Sequence, residues 1–493
     1  MRLKMTAALL CIVSLITCLF SACSEKESVD DYAVLKMYYP IGGAVDDFDE
    51  VKKEINKYVK EKIHAYIEFE TPDVSEYYAS YSLKFQAAEP VDIMWINGSM
   101  LIEYMNINAF LELDALLEEY GQGIKKAISP TLLDGAKLNG HMYALPVNKE
   151  YAIGSALYYQ KDLVDKYNLS VEEANTYEEV ENIFKTIKDN ESEIVPFYLS
   201  KNAEVPKFDI DGISNVKYEN ISGIPYILYD TEEDRFVNMY DTDYYRKRFD
   251  YIRNWYLKGY INSDASTTTA SNAEAILSGK SWTEYVTSKA FTESALLKDY
   301  GREFVRGFQT PVTSGFSSMT GSMLAIPRTT QNPEAAMKLL NMLYTDEYLV
   351  NLFVYGIEGK HYIKNKDGKI SMPDGISNRN LTGYNPSVSW RIGNQKLDYL
   401  YTDEPDNKWE VYDKYDRESI KLKLLGFVFN SSKIKLENTV LSNIISEYKV
   451  LLNTGSVDAK EALAELNKKL EDNGVDDVIK EIERQYEEWK SNN

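Results

Sequence analysis

Catalysis at a protein site needs a nucleophile beside a base, a set of metal ligands, a phosphate cradle or a pair of carboxylates, and this sequence is short of most of them. Its three histidines, His64, His141 and His361, are spread over roughly 300 residues with no second histidine at i+3 to i+5, so they form no zinc pattern. No Gly-x-Ser-x-Gly elbow is present, and Gly279-Lys280-Ser281 has Glu274 where a phosphate-cradling loop needs its first glycine. The 77 acidic residues guarantee close carboxylate pairs, most of which belong on solvated faces. What stands out is aromatic: 39 tyrosines and 6 tryptophans. Such rings offer a flat apolar face and a polar edge, suited to stacking on a sugar ring while Asn, Asp and Glu bond its hydroxyls. That is the chemistry of binding. No cofactor and no metal are predicted.

The rings with a functional reading are those beside breaks between strand and helix. Trp95 ends the apolar run VDIMWI, with Asn97 and Ser99 just beyond it, and Tyr39 stands at the same kind of break after the first strand. Trp282 follows Gly279-Lys280 at the start of another strand. A tryptophan buried under its neighbouring helix fits the same residues. In GIEGKHY (356–362) two glycines bracket Glu358, with His361 close behind, which suits either a carboxylate aimed at hydroxyls or a turn whose Glu caps amides. NPSVSWRIGNQ (385–395) offers Asn385, Trp390 and Asn394 on an aperiodic loop, where Trp390 reads equally as a loop anchor. Met319 and Thr320 precede the strand SMLAIP and complete the candidates.

The elements that must position these residues alternate. AVLKMYY reads as a strand, DDFDEVKKEINKYVKEK as a helix with Phe48, Val51, Ile55 and Tyr58 on one face, and AYIEFE as a second strand. A helix carrying Tyr77, Tyr81 and Phe85 precedes VDIMWI. This order predicts a parallel sheet covered on both faces, with ligands beyond the carboxyl ends of its strands, at 39–43 and 95–99. Further on, IVPFYL and SMLAIP read as strands, TDYYRKRFDYIRNWYLKG as a helix, and the chain from Leu436 onward as helical.

All three cysteines lie before position 24. Arg2 and Lys4, then the apolar run from Met5 to Phe20, then Ser21-Ala22 have the form of a secretion signal, whose sixteen apolar residues fall short of the ~20 that cross a bilayer. Ser21-Ala22-Cys23 before the polar SEKESVDD resembles the lipobox of bacterial lipoproteins, in which the cysteine becomes the lipidated first residue. Residues 1–22 are then leader, 23–33 tether, and Cys23 the only thiol of the mature chain, so no disulfide supports the fold. The net charge of −22 argues against nucleic acid and against electrostatic adhesion to anionic lipid. Membrane attachment is expected through the N-terminal lipid only, on the outer face of the cytoplasmic membrane of a Gram-positive bacterium.

Larger stretches carry a second resemblance. LNGHMYALPVNKE, YYQKDLVDKYNL, YLKGYINSDA and SGKSWTEYV, with the long runs MTGSMLAIPRTTQNPEAAMKLLNMLYTDEYLVNLFVYGIEGKHYIK and GFVFNSSKIKLENTVLSNIISEYKVLLNTG, resemble the family 1 extracellular solute-binding proteins, lipoproteins that hand a ligand to an ABC importer. The C-terminal stretch resembles a module of unknown function found in one branch. The resemblance implies a two-lobe periplasmic-binding-protein-like α/β fold of the class II type, with the ligand cleft between lobes and a helical C-terminal region. Lobe 1 would take 34–148 with a return near 315–375, lobe 2 residues 149–312, and the C-terminal region 376–493. The implied partners are a sugar or oligosaccharide and ABC permease subunits, with the protein itself a monomer. The rival reading is a surface glycosidase, which would need two carboxyls held ~5–10 Å apart.

Overall fold

The computed structural model describes residues 32–492 apart from 106, 139, 211 and 212; the expected leader (1–22), Cys23 and most of the tether (23–33) lie outside the described residues. The first sheet begins as the apolar alternation requires. Strands β1 (Ala33–Tyr38), β2 (Ala65–Glu70) and β3 (Ile93–Ile96) run parallel, with β1 between the other two. The crossover helices are α1 (Phe48–Ile63), which buries Val51, Ile55 and Val59, and α2 (Val74–Gln86), whose N-cap Asp73 accepts from the amide of Glu76. Beyond β3 the pairing turns antiparallel: β12 (Met323–Ala325), returning from far along the chain, lies between β3 and β4 (Ala144–Pro146). Helix α3 (Gly98–Met105) leaves the carboxyl end of β3. One core gathers residues from Leu35 to Tyr151 and from Phe316 to Ile392, including helices α6 (Pro333–Thr345) and α7 (Glu347–Tyr355). We call this lobe 1.

The second core runs from Leu157 to Phe308 and takes in residues from Leu424 to Tyr486. This is lobe 2. It has two small antiparallel sheets, one with β5 (Gly154–Gln160) between β9 (Thr283–Ser288) and β10 (Phe304–Gln309), the other with β7 (Ile224–Asp230) between β6 (Tyr218–Ile221) and β8 (Arg235–Asn238). IVPFYL, expected as a strand, makes only isolated bridges from Val195 to Ser281 and from Phe197 to Ile261. The helix α4 (Tyr177–Asn190) has a full capping box between Thr176 and Glu179. Helix α5 (Asp243–Leu257) packs on the C-terminal helices α9 (Lys435–Thr454) and α10 (Ala459–Asp472), and α11 (Val475–Asn492) lies on β8, so the C-terminal segment completes the core of lobe 2. The apolar stripe of that segment, including Val475, Val478, Ile482 and Tyr486, is the face that docks.

Three segments pass between the lobes side by side. Ile153 and Thr313 exchange backbone hydrogen bonds at 3.0 and 2.9 Å, and β11 (Thr313–Ser314) pairs in parallel with a short strand at Ile420–Lys421, whose neighbours complete it through Ile420 N–H to Val312 O and Leu422 N–H to Ser314 O, both 2.9 Å. The outer hairpin β13 (Ile363–Lys364) and β14 (Ile370–Ser371) precedes that strand, which is therefore β15. Asp416, near the end of helix α8 (Lys408–Glu418), holds the first crossing in place by accepting from the amides of Tyr151 and Ala152 at 3.1 and 2.8 Å. Burial pushes its carboxyl up to about 6, outweighing the two amides that favour its charge.

Candidate functional site

Two cavities flank the crossing segments, one walled by both lobes and the other by the ribbon and lobe 2. The smaller, about 190 Å³, is lined by Asn97, Ser99 and Thr320 of lobe 1 and by Ser222 in the β6–β7 turn of lobe 2. The larger, about 660 Å³, is lined by Ser155, Thr310 and Thr313 of the ribbon and by Tyr218, Tyr245 and Tyr285 of lobe 2, with Lys449 and Asn453 from α9. Strand β6 links them, giving Asn220 to one and sending its turn into the other. Hollows of about 720 and 740 Å³ each belong to a single lobe, one along Lys161–Gly307 and one over α1 and β2, so neither is placed to be changed by lobe closure.

The lobe 2 wall is assembled from three elements. Tyr218 opens β6 and Tyr285 lies within β9. Tyr245 is in the first turn of α5, where the Thr242 hydroxyl accepts its amide at 3.3 Å and fixes the helix start. Arg248, one turn later and buried, donates to the carbonyls of Val205 (2.8 Å) and Pro206 (3.4 Å), tying the 201–206 loop to the helix, and its guanidinium lies 5.6 Å from the rings of both Tyr245 and Phe249. The Glu219 carboxylate faces away into backbone, accepting from the amides of Lys423 and Leu424 at 2.8 and 2.9 Å. Burial raises the pKa of Glu219 and of the Tyr285 hydroxyl.

Lobe 1 carries an aromatic shelf at the carboxyl end of β3. Trp390 is 37% exposed and stands edge-on to buried Trp95 with 6.0 Å between ring centroids; Tyr78, 46% exposed, stands edge-on to Trp95 at 6.2 Å. The Arg391 guanidinium lies 4.1 Å over the Trp390 ring and 5.6 Å from that of Trp95. Its Nη1 donates to Ser387 O at 3.1 Å, while its buried Nε has no partner. Burial lowers its pKa.

The structure corrects several readings of the sequence. Trp95 is 1% exposed and donates its Nε1–H to the Ser322 hydroxyl at 2.8 Å, because Tyr77 and Tyr78 of α2 cover the end of β3. Tyr39 is equally buried, between Phe69 and Phe353. Trp282, 0% exposed, packs on Tyr159 in the lobe 2 core; Tyr285, three residues on, is the ring that reaches the cavity. Met319 is buried in lobe 1. The His361 ring is buried between Tyr384 and the loop it braces, with Nδ1 accepting from Ile357 N–H at 2.9 Å and Nε2 3.3 Å from Asp47. Glu358 is exposed beside it. Asn394 is turned inward, accepting from Asn148 at 2.8 Å and donating to Tyr344 O at 3.1 Å, and Asn385 bonds Asn380 at 2.7 Å. Asn97, Ser99 and Thr320 do line a cavity, although Asn97 also caps α3 through the Met100 amide at 3.0 Å. Of the proposed rings, Trp390 alone is open. The cavity tyrosines were missed because nothing in their spacing sets them apart from the other tyrosines. Among the described residues, Glu112, Asp114 and His141 bring ligand atoms within 4.8 Å of one another, a grouping that a search for paired histidines passes over and that exposed acidic surfaces often show without an ion.

A two-lobed solute-binding protein is the class this architecture defines. The model of the bacterial extracellular solute-binding proteins matches residues 53–356, more than half of the chain, and the chain belongs to that family; it is a solute-binding protein and not an enzyme. Residues 423–491 match a domain of unknown function, DUF3502. A carbohydrate ABC transporter substrate-binding protein of Streptococcus pneumoniae serotype 4 is 27% identical over 481 residues, covering 95% of this chain and 94% of its own. The crystal structure of the N-glycan transport solute binding protein NgtS from S. pneumoniae superposes with a TM-score of 0.81 at 25% identity, covering 93% of this chain and 99% of that one. Its complexes with Man1GlcNAc and Man5GlcNAc give 0.72 and 0.69 at the same identity and coverage.

Proposed function

We propose that this chain captures an oligosaccharide outside the cell and delivers it to an ABC importer, closing its lobes over the sugar. The observation that carries this is a cavity walled by both lobes, with Asn97, Ser99 and Thr320 of lobe 1 beside Ser222 of lobe 2, which strand β6 joins to the tyrosine-lined cavity of lobe 2. The larger cavity, about 660 Å³, falls within the ~300–1,000 Å³ usual for ligand pockets. The likeness to NgtS supports the closing motion. The TM-score to this chain is higher for one NgtS structure than for its Man1GlcNAc and Man5GlcNAc complexes at the same identity and coverage, a difference that fits two lobes able to change their arrangement. Closure then results from contacts a ligand makes only when both walls reach it.

The test is calorimetry and thermal melting with Man1GlcNAc, Man5GlcNAc and a panel of plant and milk oligosaccharides. A true ligand at 100 times its Kd should add about 2.7 kcal/mol to stability. No heat and no melting shift with any member would overturn the reading, and release of cleaved sugar would favour a glycosidase. The reading includes a monomer tethered to the outer face of the membrane by lipid on Cys23, with permease subunits as its partner; loss of lipid labelling in Cys23→Ala checks the tether.

A further inference from the structure

The chain carries a net charge of −22, and many of the described cations sit beside acids. Lys84 is paired with Glu70 and Glu89, and Lys217 with Asp230 and Glu232. The larger cleft cavity departs from that pattern. Lys201, Lys207, Arg248 and Lys449 line it, and among the described residues none of the four is bridged to a carboxylate. Two acids share the lining, Glu204 and Glu219, and both oxygens of Glu219 are occupied by backbone amides. On lobe 1, beside Trp390, Arg391 is 94% buried, has no acidic partner and keeps an unpartnered Nε. A cation taken out of water without an anion is costly. Four unpaired cations around one cavity, in a protein with an excess of 22 acids, make a local field of the opposite sign to the whole.

We propose that the captured saccharide is acidic, and that a carboxylate of it sits among Lys201, Lys207 and Lys449 with Arg248 beneath. This rests on the oligosaccharide reading above and adds to it the substrate class. It also gives the C-terminal segment a part in recognition, because Lys449 comes from α9 while the other three cations come from the body of lobe 2. Guanidinium and ammonium groups gathered around a carboxylate make charge-assisted hydrogen bonds about twice as strong as neutral ones. Sugar hydroxyls would have no need of such a field.

The experiment compares matched pairs by calorimetry: trigalacturonate against its full methyl ester, and 3′-sialyllactose against lactose. The first pair tests a uronate and the second a sialate as source of the carboxylate. In at least one pair the acid should bind tenfold or more tighter than its neutral counterpart at 50 mM salt, with the advantage shrinking at 500 mM as the charges are screened. Lys201→Gln with Lys449→Gln, two exposed positions, should bring that ratio towards one without lowering the apo melting temperature. Neutral members binding as well as acids, or a ratio unmoved by the double variant, would overturn the proposal and leave the oligosaccharide reading standing. Failure of every sugar, neutral or acidic, here and with the NgtS glycans, would overturn both.

Discussion

The two lobes meet the same cleft in different ways. Lobe 1 is built on parallel strands covered by helices, and what it offers a ligand comes from segments beyond the strand ends, the residues Asn97–Ser99, the 316–321 segment and the loop carrying Trp390, with Tyr78 added from helix α2. Lobe 2 has short antiparallel strands and helices, and its wall is made of their faces, with Tyr218 from β6, Tyr285 from β9 and Tyr245 from α5. A helix-covered sheet keeps its strands dry to their last residues, so a tryptophan inside one serves the core; in lobe 2 strand β5 is likewise buried on both faces, and the rings that reach the cavity come from β6, β9 and the start of α5. Accordingly Trp95 and Trp282 are both interior, although both flank candidate cleft residues in sequence.

The sharpest way to break this comparison is to truncate an interior ring. Trp282→Ala should cost ~3–5 kcal/mol of stability, as large core truncations do, with a marked fall in apo melting temperature and little change in the sugar affinity of the folded fraction. An affinity loss larger than the stability loss would return Trp282 to the cleft. Next come Trp390, open on lobe 1, and Tyr285, half-buried at the lobe 2 cavity. Trp390→Ala and Tyr285→Ala should each weaken oligosaccharide binding by ~1–3 kcal/mol, the range of stacked anchors, with the apo Trp390 variant melting close to the wild type and the Tyr285 variant somewhat lower. If only one of the two matters, the ligand rests on a single wall, and small-angle scattering should then show no compaction on binding.

A smaller effect concerns the loop that carries Trp390. Asp398 is buried beneath it, with one oxygen accepting from Ser389 at 2.5 Å and the other unpartnered, and burial pushes its carboxyl up to about 7. The folded state therefore holds a proton that the unfolded chain gives up near pH 4. The associated stability is present in full below that pH and is lost as pH rises through about 7. Asp398→Asn keeps the acceptor for Ser389 and removes the titration, so the fall in melting temperature between pH 5 and pH 8 should be shallower than in the wild type. An unchanged fall would mean that Asp398 is ionised in the folded protein across the range.

Much of lobe 1 was legible because its pattern is local. Apolar alternation in AVLKMYY and AYIEFE and the helical face of Val51, Ile55 and Val59 are each read within a few residues. The cavity of lobe 2 was not, since Tyr218, Tyr245 and Tyr285 are scattered over the chain and are brought together only by tertiary packing. Asn394 shows a subtler limit: a polar loop residue beside a tryptophan looks available for ligand, yet its amide is used to fasten the first crossing segment through Asn148. Composition marked the abundance of tyrosine without saying which ones were open.

The ribbon of three crossing segments constrains the closure proposed above. Thr313 is hydrogen-bonded to Ile153 on one side, and its strand is bonded to Ile420 and Leu422 on the other. Sliding one segment along the next would break those bonds together, whereas bending across all three at once breaks none. The joint thus behaves as a leaf hinge, stiff to shear and compliant about one axis. In the proposed closure the lobes would approach along one arc, whichever sugar prompts it. Discrimination between sugars then lies in the shape of the gap at the end of that arc, because the path to it is fixed by the backbone.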